Sequence, residues 1–326
     1  MRGAVLSLAA ALAWPVAANA QSVEIRDWQL VCDNARTCRA AGYSVAGSEL
    51  PASLLIARAA GPHAPVYAEL QLAERGPHPA SVSLGTGKSA VAVRLDKANH
   101  ADLPPAAVLA LLKTLPAGSD AVFASGKSTW RVSAAGAAEA LQQMDELQGR
   151  SGRPSALVRK GGGSDADVAS AMAVPRMDAT RISAQQQPDD AALAVRVLAA
   201  IQSKADCPLL DDGNAQSQGR LWHLDANRLL VTQPCSAGAN GWWIANRRPP
   251  YDARPLTYAG EFDGVATVVA RVPGGSAGDC GTVEAWTWNG YRFEQTRAAS
   301  GGLCRGVKAG GAWELPTLVT EVIPTN

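Results

Sequence analysis

The chain has 326 residues, with 30 basic and 29 acidic side chains and six cysteines. That length is ample for two modest domains, each with its own core. So even a charge balance excludes a protein built to grip nucleic acid or an anionic membrane by charge alone.

The first stretch has the form of an export signal. Arg2 gives a positive start, Ala4 to Val16 is an apolar run, and Ala18-Asn19-Ala20 matches an A-x-A cleavage site. Residues 1–20 are therefore read as a signal peptide, with Gln21 as the new N-terminus. The run is too short for a membrane anchor. No cysteine stands at the cleavage point, which argues against a lipoprotein, and no later apolar run is long enough to span a bilayer. A periplasmic or secreted protein without a transmembrane anchor is expected.

All six cysteines follow the cleavage site, and an even count in an exported chain favours disulfides. Proximity suggests Cys32–Cys38, Cys207–Cys235 and Cys280–Cys304. No C-x-x-C pair offers a zinc site, and no metal or cofactor is expected.

Along the mature chain, Asp27 to Cys32 reads as a strand, Asp33-Asn34 as a turn, and Cys38 to Tyr43 as the return strand. Further strand-like runs are 53–57, 66–72 and 90–95. Pro104-Pro105 precedes a helix over 106–115 that Pro116 ends. Short strands at 121–124 and 129–132 precede a second helix, Ala137 to Leu147, with Leu141 and Met144 at helical spacing. Ser155 to Val158 reads as a closing strand. Residues 21–160 are thus expected to form an N-terminal α+β domain.

Gly161-Gly162-Gly163-Ser164 marks a break. Residues 161–188 are poor in large apolar side chains and read as a flexible linker, with a short helical turn near 168–173. Asp189 then opens a third helix running to about Lys204. The remainder, within a C-terminal domain of 189–326, is strand-like and joined by short turns. The expected class is α+β: two mainly antiparallel β domains with about three helices, held by disulfides.

The clearest hairpin signal is Asn289-Gly290, which suits a two-residue type I′ turn. That turn would set Trp288 opposite Tyr291, Thr287 opposite Arg292 and Trp286 opposite Phe293. Trp286, Trp288, Tyr291 and Phe293 would share a face, with Thr287, Arg292 and Glu294 on a wet one. Core packing is the preferred reading of this stripe; a binding platform is the alternative. Cysteine, tryptophan and glycine recur in order in 207–242 and 280–313, suggesting two diverged copies of one disulfide-closed unit.

Asp27-Trp28…Cys32-Asp33-Asn34…Cys38-Arg39-Ala40-Ala41-Gly42-Tyr43, Met144 to Arg150, Gly278-Asp279-Cys280-Gly281…Trp286-Thr287-Trp288-Asn289-Gly290…Phe293 and Cys304-Arg305-Gly306 carry a resemblance. With them the chain resembles a family of exported bacterial proteins known only as a domain of unknown function. The first half is more distantly similar to invasion-associated locus B proteins. The resemblance implies export and disulfides and brings no catalytic residue.

Gly278-Asp279-Cys280-Gly281 is similar to a cysteine-protease nucleophile turn. His63, His78, His100 and His223 are the only histidines, and Cys280 has a partner in Cys304, so the protease is set aside. Gly87-Lys88-Ser89 lacks the upstream glycine of a phosphate loop. Asp211-Asp212-Gly213-Asn214 is read as a turn rather than a calcium loop. Trp242-Trp243 is the candidate partner contact. Neighbours on a strand point to opposite faces, so one indole enters the core and the other is either covered or exposed to a partner. The expected function is non-catalytic binding of an unknown macromolecule, protein or glycan and not nucleic acid. The alternative is a hydrolase of a cell-envelope polymer, which needs two converging carboxylates.

Overall fold

The computed structural model describes residues 21–85, 87, 90–201 and 206–325. The expected signal peptide, Lys88, Ser89 and the expected end of the third helix at 202–204 lie outside the described residues.

The first half carries two antiparallel sheets. Strands β1 (Gln21–Ile25), β2 (Trp28–Cys32), β3 (Cys38–Tyr43), β4 (Ala52–Arg58) and β5 (Val66–Leu72) follow one another across the larger sheet. After β6 (Ser81–Leu84) and β7 (Val91–Arg94), β8 (His100–Asp102) returns to pair with β5. Helix α1 (Pro105–Thr114) is followed by β9 (Ala121–Ser125) and β10 (Ser128–Val132), which complete a four-stranded sheet ordered β10-β9-β6-β7. Helix α2 (Ala137–Leu147) buries Leu141 and Met144 in the shared core. Trp28 is fully buried there, its indole N–H donating to the Ser133 carbonyl at 2.8 Å. Its ring lies where a Cβ on Gly42 would stand, so the close approach of β2 and β3 requires glycine.

The expected strand at 155–158 is a loop. The carboxylate of Asp145 accepts the N–H groups of Leu157 at 2.7 Å and Val158 at 3.1 Å, and these donors leave no ladder to join. Around it, buried Gln148 donates to the carbonyls of Arg36 and Arg58, and buried Arg150 donates to those of Ala59 and Gly61. Burial pushes the Arg58 guanidinium down to about 10, helped by the like charge of Arg150, and pushes the Asp145 carboxyl up. The stretch Met144 to Arg150 is thus a buried polar brace.

Residues 161–188 carry a 3₁₀ turn at Asp165–Asp167, then β11 (Arg176–Thr180). The strand β11 pairs in parallel with β20 (Glu321–Thr325) at the far end of the chain. Ile182, Ala179 and Val168 are buried.

Helix α3 (Asp190–Ala199) and the short α4 (Gly213–Ser217) precede an eight-stranded antiparallel meander. Its strands are β12 (Arg220–His223), β13 (Arg228–Ser236), β14 (Ala239–Asn246), β15 (Arg254–Phe262), β16 (Thr267–Gly274), β17 (Cys280–Trp288), β18 (Phe293–Ser300) and β19 (Leu315–Val319). The α4 helix was not expected. Asp212, at the candidate calcium loop, caps it by accepting the Ala215 N–H at 2.9 Å.

The three disulfides are those suggested by proximity. The class is mostly antiparallel β with four helices among the described residues, three of them long.

The hairpin at Asn289-Gly290 differs from expectation. Trp288 pairs with Phe293, Thr287 with Glu294 and Trp286 with Gln295, so four residues form the connection. The Asn289 side-chain oxygen accepts the N–H groups of Tyr291 and Arg292, which opens the turn. Tyr291 is consequently 80 % exposed at the tip, while Trp288 is buried. Of the face expected to be wet, Arg292 is exposed and Glu294 half-buried, but Thr287 is buried and its hydroxyl bonds those of Thr267 and Thr296, each at 3.0 Å.

The two halves meet through the segment 301–315. Leu303, Val307, Ala312, Trp313 and Leu315 cover Val31, Ala41, Tyr43 and Leu55 on the outer face of the first sheet. Arg305 pairs with Asp27 at 3.0 Å, the Trp313 indole donates to the Ser53 hydroxyl at 2.6 Å, and Asn34 exchanges two hydrogen bonds with the Val319 backbone.

Candidate functional site

The meander has two apolar faces, and the tryptophan pair divides between them. Trp243 is fully buried among Leu193, Val197, Leu229, Val231 and the Cys207–Cys235 disulfide. Its ring meets Tyr258 edge-on at 6.1 Å. Trp242 enters the opposite cluster with Leu230, Val268, Trp288 and Ile182. That cluster is closed by Ile182 of the segment after β11, whose N–H donates to the Val265 carbonyl at 2.8 Å. The alternation expected of adjacent residues therefore holds, and neither indole stands exposed: Trp242 is 4 % exposed and Trp243 0 %. An exposed contact at either position is not what the structure shows. The segment covering one face and α3 covering the other account for it.

A third tryptophan takes the place in solvent. Trp222 lies on β12, the edge strand of the meander, and is half-buried. It stacks on Trp242 with ring centres 5.3 Å apart and meets Phe262 at 5.4 Å. Trp242 is held from below by its indole N–H donating to the Gly260 carbonyl at 2.8 Å.

The strand β12 is pinned from its other side. His223, the next residue, faces α3 and bonds the buried Asp190 carboxylate at 2.9 Å. Gln186 donates to the Leu221 carbonyl at 3.1 Å. These bonds fix the strand on which Trp222 stands, so its indole is presented rather than loose.

Around the three rings runs a groove of about 790 Å³. Its polar rim includes Gln218, Arg220, Asn240 and Glu261, all exposed. Arg220, Asn240 and Glu261 make no side-chain hydrogen bond or ion pair with described residues, leaving donors and acceptors unspent beside the aromatic floor. Glu261 is the one carboxylate among the described residues lining the groove. An aromatic surface flanked by free hydrogen-bonding groups suits a ligand with an apolar face and polar edges.

The cysteine of the protease-like turn is spoken for. Cys280 is bonded to Cys304, and Asp279 accepts the Gly306 N–H at 2.5 Å, so this turn serves the loop 301–315. Among the described residues no helix is long and apolar enough to cross a membrane.

These features define a disulfide-stapled, mainly antiparallel α+β protein with an aromatic groove at the edge of its larger sheet. The chain belongs to the family described as "Protein of unknown function (DUF1176)", whose model matches residues 22–320. No curated protein and no solved structure matches it. The likeness to invasion-associated locus B proteins is not shown by these comparisons.

Trp222 is inconspicuous in the sequence beside the Trp242-Trp243 doublet. The available signal was position: Trp222 sits on the first strand of the meander, and a terminal strand has a side with no neighbour.

Proposed function

We propose that this is an exported, non-catalytic protein of the bacterial envelope or its surroundings that binds a glycan in the groove floored by Trp222, Trp242 and Phe262. The leader pattern of residues 1–20 supports export. So does the fact that all six cysteines are spent in disulfides, which persist in oxidising compartments. The observation that carries the binding reading is the half-buried Trp222 ring stacked on Trp242 beside the unspent Arg220, Asn240 and Glu261. Sugar rings present an apolar C–H face to an indole and hydroxyls to a polar rim.

The test is a titration of the mature protein with soluble fragments of envelope glycan, followed by calorimetry. Saturable binding is expected, with Trp222→Ala weakening it about tenfold or more and Trp222→Phe keeping part of it, since an aromatic ring supplies the apolar face that the sugar meets. Absence of saturable binding, or equal affinity in Trp222→Ala, removes the reading.

A further inference from the structure

A second cleft, of about 580 Å³, lies between the first sheet and the docked segment 301–315. Its wall on the first-half side is built from β5 and β8. The register there sets Glu69 opposite Asp102 and Gln71 opposite His100. Side chains two apart on a strand share a face, so Glu69, His100 and Asp102 project together.

This is an unfavourable pairing on its own terms. Like charges directly opposite on neighbouring strands destabilise the ladder. His100 Nε2 lies 3.0 Å from Glu69 Oε2 and can answer one carboxylate. Asp102 has no side-chain hydrogen bond or ion pair with any described residue. Yet one donor atom from each of the three residues falls within 4.8 Å of the others.

The outer surroundings add a second observation. His100 Nδ1 lies 3.9 Å from Asp96 Oδ2. Asp96 is itself fixed, accepting the N–H groups of Ala98 at 2.8 Å and His100 at 2.9 Å. The 3.9 Å separation is longer than a hydrogen bond, so Asp96 places negative charge beside the far nitrogen without fixing the ring. The imidazole also rests against the Trp313 ring, 6.1 Å between centres, so loop 301–315 helps to set its position.

We propose that Glu69, His100 and Asp102 form a binding site for a divalent transition metal, zinc first, with solvent completing the coordination. One imidazole and two carboxylates, with donor distances of about 2.0–2.2 Å, suit zinc. An imidazole in the set disfavours calcium and magnesium, which take oxygen. A tetrahedral ion holds its donors about 3.3–3.6 Å apart. Glu69 and His100 stand close to that spacing, and rotation of the exposed Asp102 side chain brings in the third. The ion neutralises both opposed carboxylates, whereas His100 bonds only Glu69 of the two. Lys308 and Arg271 share the cleft; the charge of Lys308 acts on Asp96, behind the imidazole, and Arg271 makes no ion pair with Glu69 or Asp102. Every cysteine is in a disulfide, so no thiolate competes for the ion.

The test is calorimetric titration of chelator-treated mature protein with zinc chloride, beside melting curves with and without zinc. One site is expected in the wild type, with a zinc-dependent rise in Tm. Both His100→Gln and Asp102→Asn should weaken binding about tenfold or more and abolish that rise. Asp102→Asn is the decisive variant. It breaks none of the contacts described above, so a purely structural ion pair between His100 and Glu69 predicts that it changes nothing. Full retention of zinc binding in Asp102→Asn, or absence of saturable zinc binding in the wild type, overturns the proposal. The site lies in the other half from the aromatic groove, so its failure and that of the glycan reading are separable.

Discussion

The two long disulfide loops of the second half invite comparison. Cys207–Cys235 and Cys280–Cys304 span 28 and 24 residues, so loop entropy gives them nearly equal value, about 3 kcal/mol each. Their surroundings are opposite. In the first, the downstream cysteine lies within β13 and the upstream one in a loop; both are buried beside Trp243. In the second, the upstream cysteine opens β17, while Cys304 stands beyond β18 and is exposed. The first staple consolidates the core it sits in. The second directs a loop away from its own sheet onto the outer face of the other half. The likeness in sequence between the two units therefore conceals different tasks.

The largest effect should come from exchanging these staples. Cys207→Ala with Cys235→Ala should cost about 4 kcal/mol, from lost loop entropy and from a cavity in a closed core, read as a fall in the urea midpoint. Cys280→Ala with Cys304→Ala should cost about 3 kcal/mol, with new proteolytic cuts within 301–315. Mild reductant should expose Cys280 and Cys304 to thiol labelling before Cys207 and Cys235, because access governs exchange. Equal labelling of both pairs would show that the contrast is illusory.

A smaller effect tests the docking itself. Gly302 has φ +91, and a Cβ there would run into the Tyr43 hydroxyl. That hydroxyl is buried, which pushes its pKa well up. Gly302→Ala should cost about 2 kcal/mol through strain and clash, and should raise protease sensitivity in 301–315 while leaving the Cys207–Cys235 region unchanged. An unaltered urea midpoint would mean that the loop yields freely and the second staple does not direct it.

The smallest effect is a pH dependence in the first half. Asp165 accepts the hydroxyl and N–H of Ser155, which hold its carboxyl below the usual range. A depressed carboxyl contributes stability above its ordinary value near pH 4 and loses it as pH falls through the folded-state value. Melting temperature should therefore drop less steeply below pH 4 in Asp165→Asn than in the wild type. Parallel acid profiles would assign the brace around Arg150 no dependence on this carboxylate.

Much of the meander was legible because its strands are long and its turns carry Gly, Asn and Asp. The three long helices were legible from Pro104-Pro105, from the spacing of Leu141 and Met144, and from the acidic start of α3. What escaped depends on partners far away in sequence. The strand β11 has little apolar content and exists as a strand because β20 pairs with it across 145 residues. The turn after Trp288 was misread because the Asn289 side chain, rather than the glycine alone, sets its length. At the groove, Trp242 was found for its adjacency to Trp243 and proved to be the floor; Trp222 needed knowledge of which strand ends the sheet. The opposed Glu69 and Asp102 were invisible for the same reason, since register is a property of two strands. The pieces carrying the family resemblance, in contrast, turn out to be joints. Asp27, Asn34 and Arg305 link the halves, and Asp145, Gln148 and Arg150 brace the first.

The strap formed by β11 and Ile182 makes one closure out of two stretches distant in sequence. Ile182 covers the cluster of Trp242 and Trp288 from a segment that is anchored by the parallel pairing of β11 with β20. A cut between β19 and β20 would therefore unlatch the cover over those indoles while leaving every rung of the meander's own ladder in place.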